Sequence, residues 1–167
     1  NIPLDRLLDS SMDQDIDIIR RTKESISHEE FYRAADALVK VKKVYIIGAG
    51  SSLAIATFLS YYFSLVFDSV QLISATSEAQ ILQQMVHIGE GDALIGISFP
   101  RYSMRTMKAL EFANSRKAKV ITITDSVHSP MNVYAACTLI AKSDMASIVD
   151  SLVAPLSAVS YTHLRAH

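Results

Sequence analysis

Two short segments of the chain combine glycine, serine and arginine in patterns suited to holding an anion. The first is Gly48-Ala49-Gly50-Ser51-Ser52, which follows an apolar run and opens a helical stretch. Glycines let the backbone approach a ligand closely, and the unpaired N–H groups of a helix N-terminus favour negative charge. Gly50, Ser51 and Ser52 are therefore candidate phosphate contacts, although a plain tight turn with a serine cap has the same pattern.

The second segment is Ser98-Phe99-Pro100-Arg101-Tyr102-Ser103, which also lies between an apolar run and a helical stretch. Arg101 can form the bidentate fork that suits phosphate. Ser98 and Ser103 add a hydroxyl group on each side of it. These three residues are therefore the second set of candidate phosphate contacts.

The helix after this segment adds two polar side chains in its first turns. Thr106 could contribute a further hydroxyl, whereas Arg105 is expected to point to solvent. The alternative for the whole segment is a proline-containing turn with solvated cations. Because both hydroxyl-rich segments follow strands that flank the switch point of a flavodoxin-like sheet, we favour one shared phosphate site.

Nucleotide cofactors and metal ions are not expected. The dinucleotide fingerprint G-x-G-x-x-G needs a third glycine where Leu53 stands, and an acid where the second apolar run ends in Ser74. No Gly-Lys-Ser or Gly-Lys-Thr of a Walker A loop occurs. Among the five histidines, only His163 and His167 have a spacing that suits a metal site.

Hydrophobic periodicity indicates the elements that must position the two segments. Short apolar runs alternate with helical stretches, as in parallel strands that helices cover on both faces. The runs are Val44–Ile47, Val70–Ile73, Ala93–Ile97, Val120–Ile123 and Thr138–Ala141, and the predicted helices lie at about 12–26, 28–40, 51–66, 77–86, 104–116, 129–136 and 145–160. The sequence therefore predicts an α/β fold, a three-layer αβα sandwich around a five-stranded parallel sheet with leading N-terminal helices.

Composition describes one ordinary globular domain. The 167 residues hold 16 Lys and Arg against 17 Asp and Glu, which disfavours a strongly basic nucleic-acid surface. The single cysteine, Cys137, has apolar neighbours and is expected to be a buried structural thiol. No apolar run approaches the roughly 18 residues of a membrane span and no signal peptide is visible, so we expect a cytoplasmic location.

The two segments resemble the motifs of the sugar isomerase (SIS) domain. The resemblance rests on residues 46–52 and 97–103 and runs from about residue 12 to about 157. The usual second motif of that family is S-x-S-G-x-T; here Pro100 and Arg101 replace the middle Ser-Gly and Ser103 replaces the Thr. This replacement moves the expected phosphate binding from hydroxyls toward Arg101. Within the family, the chain is most similar to the effector domain of RpiR-type bacterial transcriptional regulators.

The resemblance implies a phosphosugar ligand whose phosphate contacts Ser51, Ser52, Ser98 and Ser103. It also places Glu78 where SIS isomerases have a glutamate near the sugar; the alternative is an acid stabilised in the first turn of a helix. In those isomerases a His-Gly pair commonly follows the glutamate, and this chain lacks it. We therefore expect binding without turnover, with aldose–ketose isomerisation by Glu78 as the alternative.

The resemblance also implies an organisation and a set of partners. Residues 1–42 are expected to form a helical segment packed on the sandwich, residues 43–158 the SIS domain, and residues 159–167 a frayed end or cloning remnant. Apolar stripes on the leading and last helices favour a homo-oligomer, either a dimer or a tetramer. The missing initiator Met suggests a fragment, so DNA binding is expected only through a helix-turn-helix upstream of Asn1, and no membrane partner is expected.

Overall fold

A computed structural model of the protein describes residues 4–143. Two helices, α1 (Leu4–Ser25) and α2 (His28–Lys40), come first. They are followed by β1 (Lys43–Gly48), α3 (Ser51–Ser64), β2 (Val70–Ile73), α4 (Glu78–Gln84), β3 (Asp92–Ile97), α5 (Met104–Ser115), β4 (Lys119–Thr124), a short 3-10 helix (Pro130–Tyr134) and β5 (Cys137–Ile140). Each of the five predicted strands is confirmed to within one residue at either end.

The five strands form one parallel sheet in the order β2-β1-β3-β4-β5. This is the predicted flavodoxin-like order, in which the chain reverses its direction across the sheet between β1 and β3. Gly48 and Ile97, the last residues of these two strands, are paired. The two hydroxyl-rich segments therefore leave the same edge of the sheet at the same level.

Helices cover both faces of the sheet, because alternate residues of each strand point to opposite sides. In β1, Val44 and Ile46 belong to the apolar cluster under α2 and α3. Tyr45 and Ile47 belong to the cluster under α4 and α5. The three central strands are buried on both faces as predicted, whereas most of edge strand β2 is only half-buried.

The two leading helices are bonded to the sheet at edge strand β5 and at the residues that follow it. Ser27 begins α2 as its N-cap and accepts a hydrogen bond from the Glu30 amide, as its position before two acids predicts. The Glu30 carboxylate in turn accepts the Thr138 amide of β5 at 2.8 Å. From α1, the Thr22 hydroxyl accepts the Lys142 amide at 2.9 Å.

Several boundaries differ from the predicted ones. Helix α1 begins at Leu4 rather than near residue 12, because its apolar stripe already starts upstream of the predicted boundary, at Leu8. The helix predicted over 129–136 is a 3-10 helix over Pro130–Tyr134, and the hydroxyl of its N-cap Ser129 accepts the Met131 amide. The predicted last helix and the segment 159–167 lie outside the described residues. No helix within residues 4–143 is long and apolar enough to cross a bilayer.

Cys137 is buried in β5, as predicted for a structural thiol. Burial raises the pKa of its thiol above the ordinary value, which keeps the sulfur protonated and unreactive at neutral pH.

Candidate anion-binding site

A polar cleft of about 550 Å³ opens where β1 and β3 end. It brings together six of the predicted site residues: Gly50, Ser51, Ser52, Ser98, Arg101 and Ser103. Ala49, Phe99 and Pro100 complete its lining. Residues almost fifty positions apart in the sequence thus meet at one edge of the sheet.

The β1–α3 loop brings the first turn of α3 directly onto the end of β1. A Cβ atom at Gly48 would lie 2.4 Å from the backbone oxygen of Ser52, so only glycine allows this approach. Gly50 has a φ of +60° and stands at the N-cap of α3 without a capping side chain. The positive end of the helix dipole therefore has no competing side-chain oxygen and favours an anion.

The β3–α5 loop orients two serine hydroxyls through its own amides. The Ser98 hydroxyl accepts the Ser103 amide, and the Ser103 hydroxyl, the N-cap of α5, accepts the Thr106 amide, both at 3.3 Å. A hydroxyl that accepts a backbone hydrogen bond still has its own proton to donate. Both serines can therefore donate to the oxygens of a bound anion.

Arg101 has a left-handed backbone. Its φ is +70°, and within residues 4–143 only Lys117 shares this feature among non-glycine residues. Arg101 stands where the S-x-S-G-x-T motif has glycine, and its side chain lines the cleft. Positive φ in a residue with a Cβ atom is strained, and such strain is concentrated at functional sites.

Tyr102 anchors this loop to the neighbouring strand. Its hydroxyl donates to an oxygen of Asp125 at 2.7 Å, and the same oxygen accepts the Thr124 hydroxyl. Burial, together with the bond to Asp125, raises the pKa of Tyr102. This pair is not predictable from the sequence, because no local pattern indicates a contact between residues 23 positions apart.

A second cleft adjoins the first and shares Ala49 and Gly50 with it. Its lining combines apolar residues of β1, α3 and α4 with four polar ones, Ser74, Thr76, Arg105 and Thr106. Thr106 is fully buried here, and its hydroxyl oxygen has no hydrogen-bond partner. The structure therefore places Thr106, a predicted phosphate contact, beside the polar cleft rather than in it.

Arg105 is exposed, as expected, but it does not simply point to solvent. Its Nη1 donates to the backbone oxygen of Thr76, so the side chain spans from α5 to the loop after β2. It therefore brings a cation to the lining of the second cleft.

Glu78 lies outside the lining of both clefts. It is the first residue of α4, after the N-cap Ser77, and its side chain is 48% exposed. Its carboxylate pairs with the Lys108 ammonium at 2.7 Å. This placement matches an acid in the first turn of a helix, and it leaves the Glu78 carboxylate directed to a neighbouring cation.

Comparisons with known proteins agree with this architecture. A family model described as the SIS domain matches residues 37–165. An uncharacterised HTH-type transcriptional regulator of Clostridium perfringens is 24% identical over 116 residues, which are 70% of this chain and 41% of the relative. The chain thus spans about two-fifths of the length of that relative.

Solved structures of both regulators and enzymes share the fold. The sugar isomerase domain of an RpiR transcription factor from Sphaerobacter thermophilus has a TM-score of 0.79 at 24% identity, with 93% of this chain and 89% of that one covered. Vibrio vulnificus NanR complexed with ManNAc-6P has a TM-score of 0.79 at 16% identity, with 93% and 60% covered. Phosphoheptose isomerase GmhA from Neisseria gonorrhoeae has a TM-score of 0.79 at 15% identity, with 96% and 97% covered.

Proposed function

The chain belongs to the SIS domain family, and on that premise we propose that it is the phosphosugar-binding effector part of an RpiR-type transcriptional regulator. The observation that carries this proposal is the polar cleft at the ends of β1 and β3, which combines one arginine, four serines and an uncapped helix N-terminus. The NanR relative, whose structure holds the phosphosugar ManNAc-6P, supports the class of ligand.

The phosphate would sit between the two loops. Arg101 would supply a cation with a planar fork, Ser98 and Ser103 would donate their hydroxyl protons, and Ser51 and Ser52 would donate from the first turn of α3. Gly50 would allow the backbone to come close. The described residues that line this cleft therefore include hydrogen-bond donors and one cation but no acid that would repel a phosphate.

Binding without turnover is the second part of the proposal. Isomerisation needs a base that moves a proton between two carbons, within hydrogen-bond reach of the substrate. Among residues 4–143, the lining of the two clefts contains no carboxylate and no histidine. Two acids at the same edge of the sheet are engaged elsewhere, Glu78 at the start of α4 with Lys108 and Asp125 after β4 with Tyr102.

An aldose–ketose isomerase with Glu78 as its base is the alternative function. It is favoured by the fold that the chain shares with phosphoheptose isomerase, and it requires Glu78 to leave Lys108 when a ligand binds. Incubation with fructose 6-phosphate, followed by NMR, distinguishes the two functions. Exchange above background that disappears in Glu78→Gln would establish the isomerase and overturn the sensor.

The remaining partners follow from the regulator proposal. DNA binding would belong to a helix-turn-helix module outside this chain, and the protein would act in the cytoplasm as a homo-oligomer. Exposed apolar residues recur along α1 at helical spacing, namely Leu8, Met12, Ile16 and Ile19, and would pack against a second copy. Sedimentation of Met12→Glu/Ile16→Glu tests this surface, and an unchanged oligomeric mass would exclude it.

Thermal stabilisation by sugar phosphates tests the proposed ligand class directly. We expect fructose 6-phosphate to raise the melting temperature and fructose to leave it unchanged, because most of the binding energy is anionic. Ser98→Ala and Arg101→Ala should each remove most of the shift, whereas Ser115→Ala, on the exposed end of α5, should retain it. Equal shifts from the sugar and its phosphate would refute the proposal.

A further inference from the structure

The second cleft adjoins the first, and Ala49 and Gly50 line both. A ligand whose phosphate lies between the two loops can therefore extend past these two residues toward the ends of β1 and β2. Whatever occupies the second cleft meets the side chains of Arg105 and Thr106. The chemistry of these two residues determines which ligand end fits there.

Thr106 differs from the other fully buried threonines of the protein. Thr122 donates to an oxygen of Asn132 at 2.6 Å, and the Thr124 hydroxyl lies within hydrogen-bond distance of both Asp125, at 3.2 Å, and Ser129, at 3.0 Å. Thr106 is equally buried, yet its hydroxyl oxygen has no partner within the described residues. A buried hydroxyl without a partner destabilises the fold, and a ligand atom in the cleft would supply the missing bond.

Arg105 adds a positive charge to the same lining. One of its N–H groups binds the Thr76 carbonyl, which holds the guanidinium across the cleft between α5 and the loop after β2. A guanidinium has five N–H donors, so this single bond leaves others for a ligand. Arg105 and Thr106 together present a cation and a hydroxyl donor to one ligand group.

Acidic side chains are missing from the described lining of this cleft. A ligand end with a free ammonium would find no counter-ion there, and it would face Arg105. A carboxylate would find a cation suited to its geometry and a hydroxyl donor. An uncharged hydroxyl end would gain less, because neutral hydrogen bonds are weaker than charge-assisted ones.

We propose that the second cleft selects a phosphorylated sugar acid, with the phosphate between the two loops and the carboxylate at Arg105 and Thr106. This inference rests on the proposed function, since the phosphate fixes where the other end of the ligand lies. It assigns Arg105 and Thr106 as the residues that determine specificity.

Calorimetry of the whole chain with gluconate 6-phosphate, glucose 6-phosphate and glucosamine 6-phosphate tests the proposal. We expect gluconate 6-phosphate to bind at least about tenfold more tightly than glucose 6-phosphate, as one charge-assisted contact allows. Glucosamine 6-phosphate should bind least tightly of the three. Arg105→Gln should bring the ratio of the first two affinities toward one, and Arg105→Lys should restore part of it.

Two matched threonine variants separate recognition from folding. Thr106→Val should also abolish the preference, yet it should leave the melting temperature of the free protein unchanged or raised, since the unpartnered hydroxyl is removed. Thr122→Val should lower the melting temperature and keep the preference, because it breaks a satisfied hydrogen bond away from the clefts. Arg20→Gln, an exposed arginine of α1, controls for the general loss of a positive charge.

The possible results distinguish this inference from the proposed function. If all three phosphates bind equally well, or if the preference persists in both Arg105→Gln and Thr106→Val, the selection of sugar acids is refuted while phosphosugar binding stands. If none of the three binds to the folded protein, both proposals are refuted.

Discussion

The two loops that form the polar cleft each place a residue with positive φ in its lining, but they do so with different amino acids. The β1–α3 loop has Gly50 at a φ of +60°, and the β3–α5 loop has Arg101 at a φ of +70°. Glycine adopts this conformation without a steric penalty, whereas a residue with a Cβ atom is destabilised by roughly 1–2 kcal/mol. The second loop therefore gains a cation at the cleft at the expense of backbone strain.

The surroundings of Arg101 explain how the strained conformation is held. Pro100 restricts the backbone before it, and Tyr102 after it is bonded to Asp125 at 2.7 Å. The Ser103 amide closes the loop onto the Ser98 hydroxyl. The β1–α3 loop needs no such anchors, because its shape follows from two glycines and the start of α3. A loop built on glycine is determined locally, and a loop built on arginine depends on its neighbours.

Gly48→Ala should have the largest effect on the first loop. The added Cβ would lie 2.4 Å from the Ser52 oxygen and 2.7 Å from the Ser52 carbonyl carbon, so backbone must move. We expect the free energy of unfolding to fall by about 3 kcal/mol in urea denaturation. Gly89→Ala, where the nearest atom is 3.9 Å away, is the matched control. Similar losses in the two variants would show that close packing at Gly48 is unimportant.

Arg101→Gly should weaken binding and strengthen the fold. We expect affinity for fructose 6-phosphate to drop by about 10- to 100-fold, because one charge-assisted contact is lost. The free energy of unfolding should rise by up to about 1 kcal/mol as strain is relieved. Lys117 has a φ of +62° outside the cleft. Lys117→Gly removes the same kind of backbone strain, so it should also raise the free energy of unfolding, and it should leave the affinity for fructose 6-phosphate unchanged. If Arg101→Gly leaves this affinity unchanged, Arg101 does not contact the phosphate of the ligand.

Gly50→Ala tests whether the β1–α3 loop tolerates a side chain at positive φ, as the β3–α5 loop does at Arg101. No atom lies within 4 Å of the added Cβ, so any loss comes from the φ of +60° alone. We expect the free energy of unfolding to fall by about 1–2 kcal/mol. Gly91→Ala, at a φ of +92° away from the cleft, should lose a similar amount and keep full affinity for the ligand. If Gly50→Ala leaves the free energy of unfolding unchanged, the loop must relax to negative φ.

Tyr102→Phe should have the smallest effect, since it removes one hydrogen bond of the second loop. We expect a loss of about 1 kcal/mol in the free energy of unfolding near pH 7. The pKa of Tyr102 is raised by burial, so its contribution is fully present below the pKa of the unfolded state, near 10, and is lost as pH rises through the folded-state pKa. The stability difference between wild type and variant should therefore shrink above pH about 10. A difference that is constant with pH would contradict the role of the Tyr102 proton.

The extent of the site could be predicted from sequence only where its signals are local. Six of the eight predicted residues line the polar cleft, because glycine, serine and arginine near strand ends are visible as short motifs. The expectation for Thr106 rests on its place one turn into the helix after the second motif, and the expectation for Glu78 rests only on the resemblance to SIS isomerases. The structure places Thr106 in the adjoining cleft and Glu78 beside Lys108, 30 residues away.

The sequence by itself determined the five strands, the order of the elements and the caps of α2 and α5, since each depends on residues a few positions apart. Only the tertiary structure decided that Arg101 takes a positive φ, that Tyr102 binds Asp125 and that Arg105 reaches Thr76. Hydrophobic periodicity and helix capping depend on residues within one or two helical turns of each other, so a short stretch of sequence is enough to predict them. A contact between two loops depends on where parallel strands end together, and that geometry exists only once the sheet has formed.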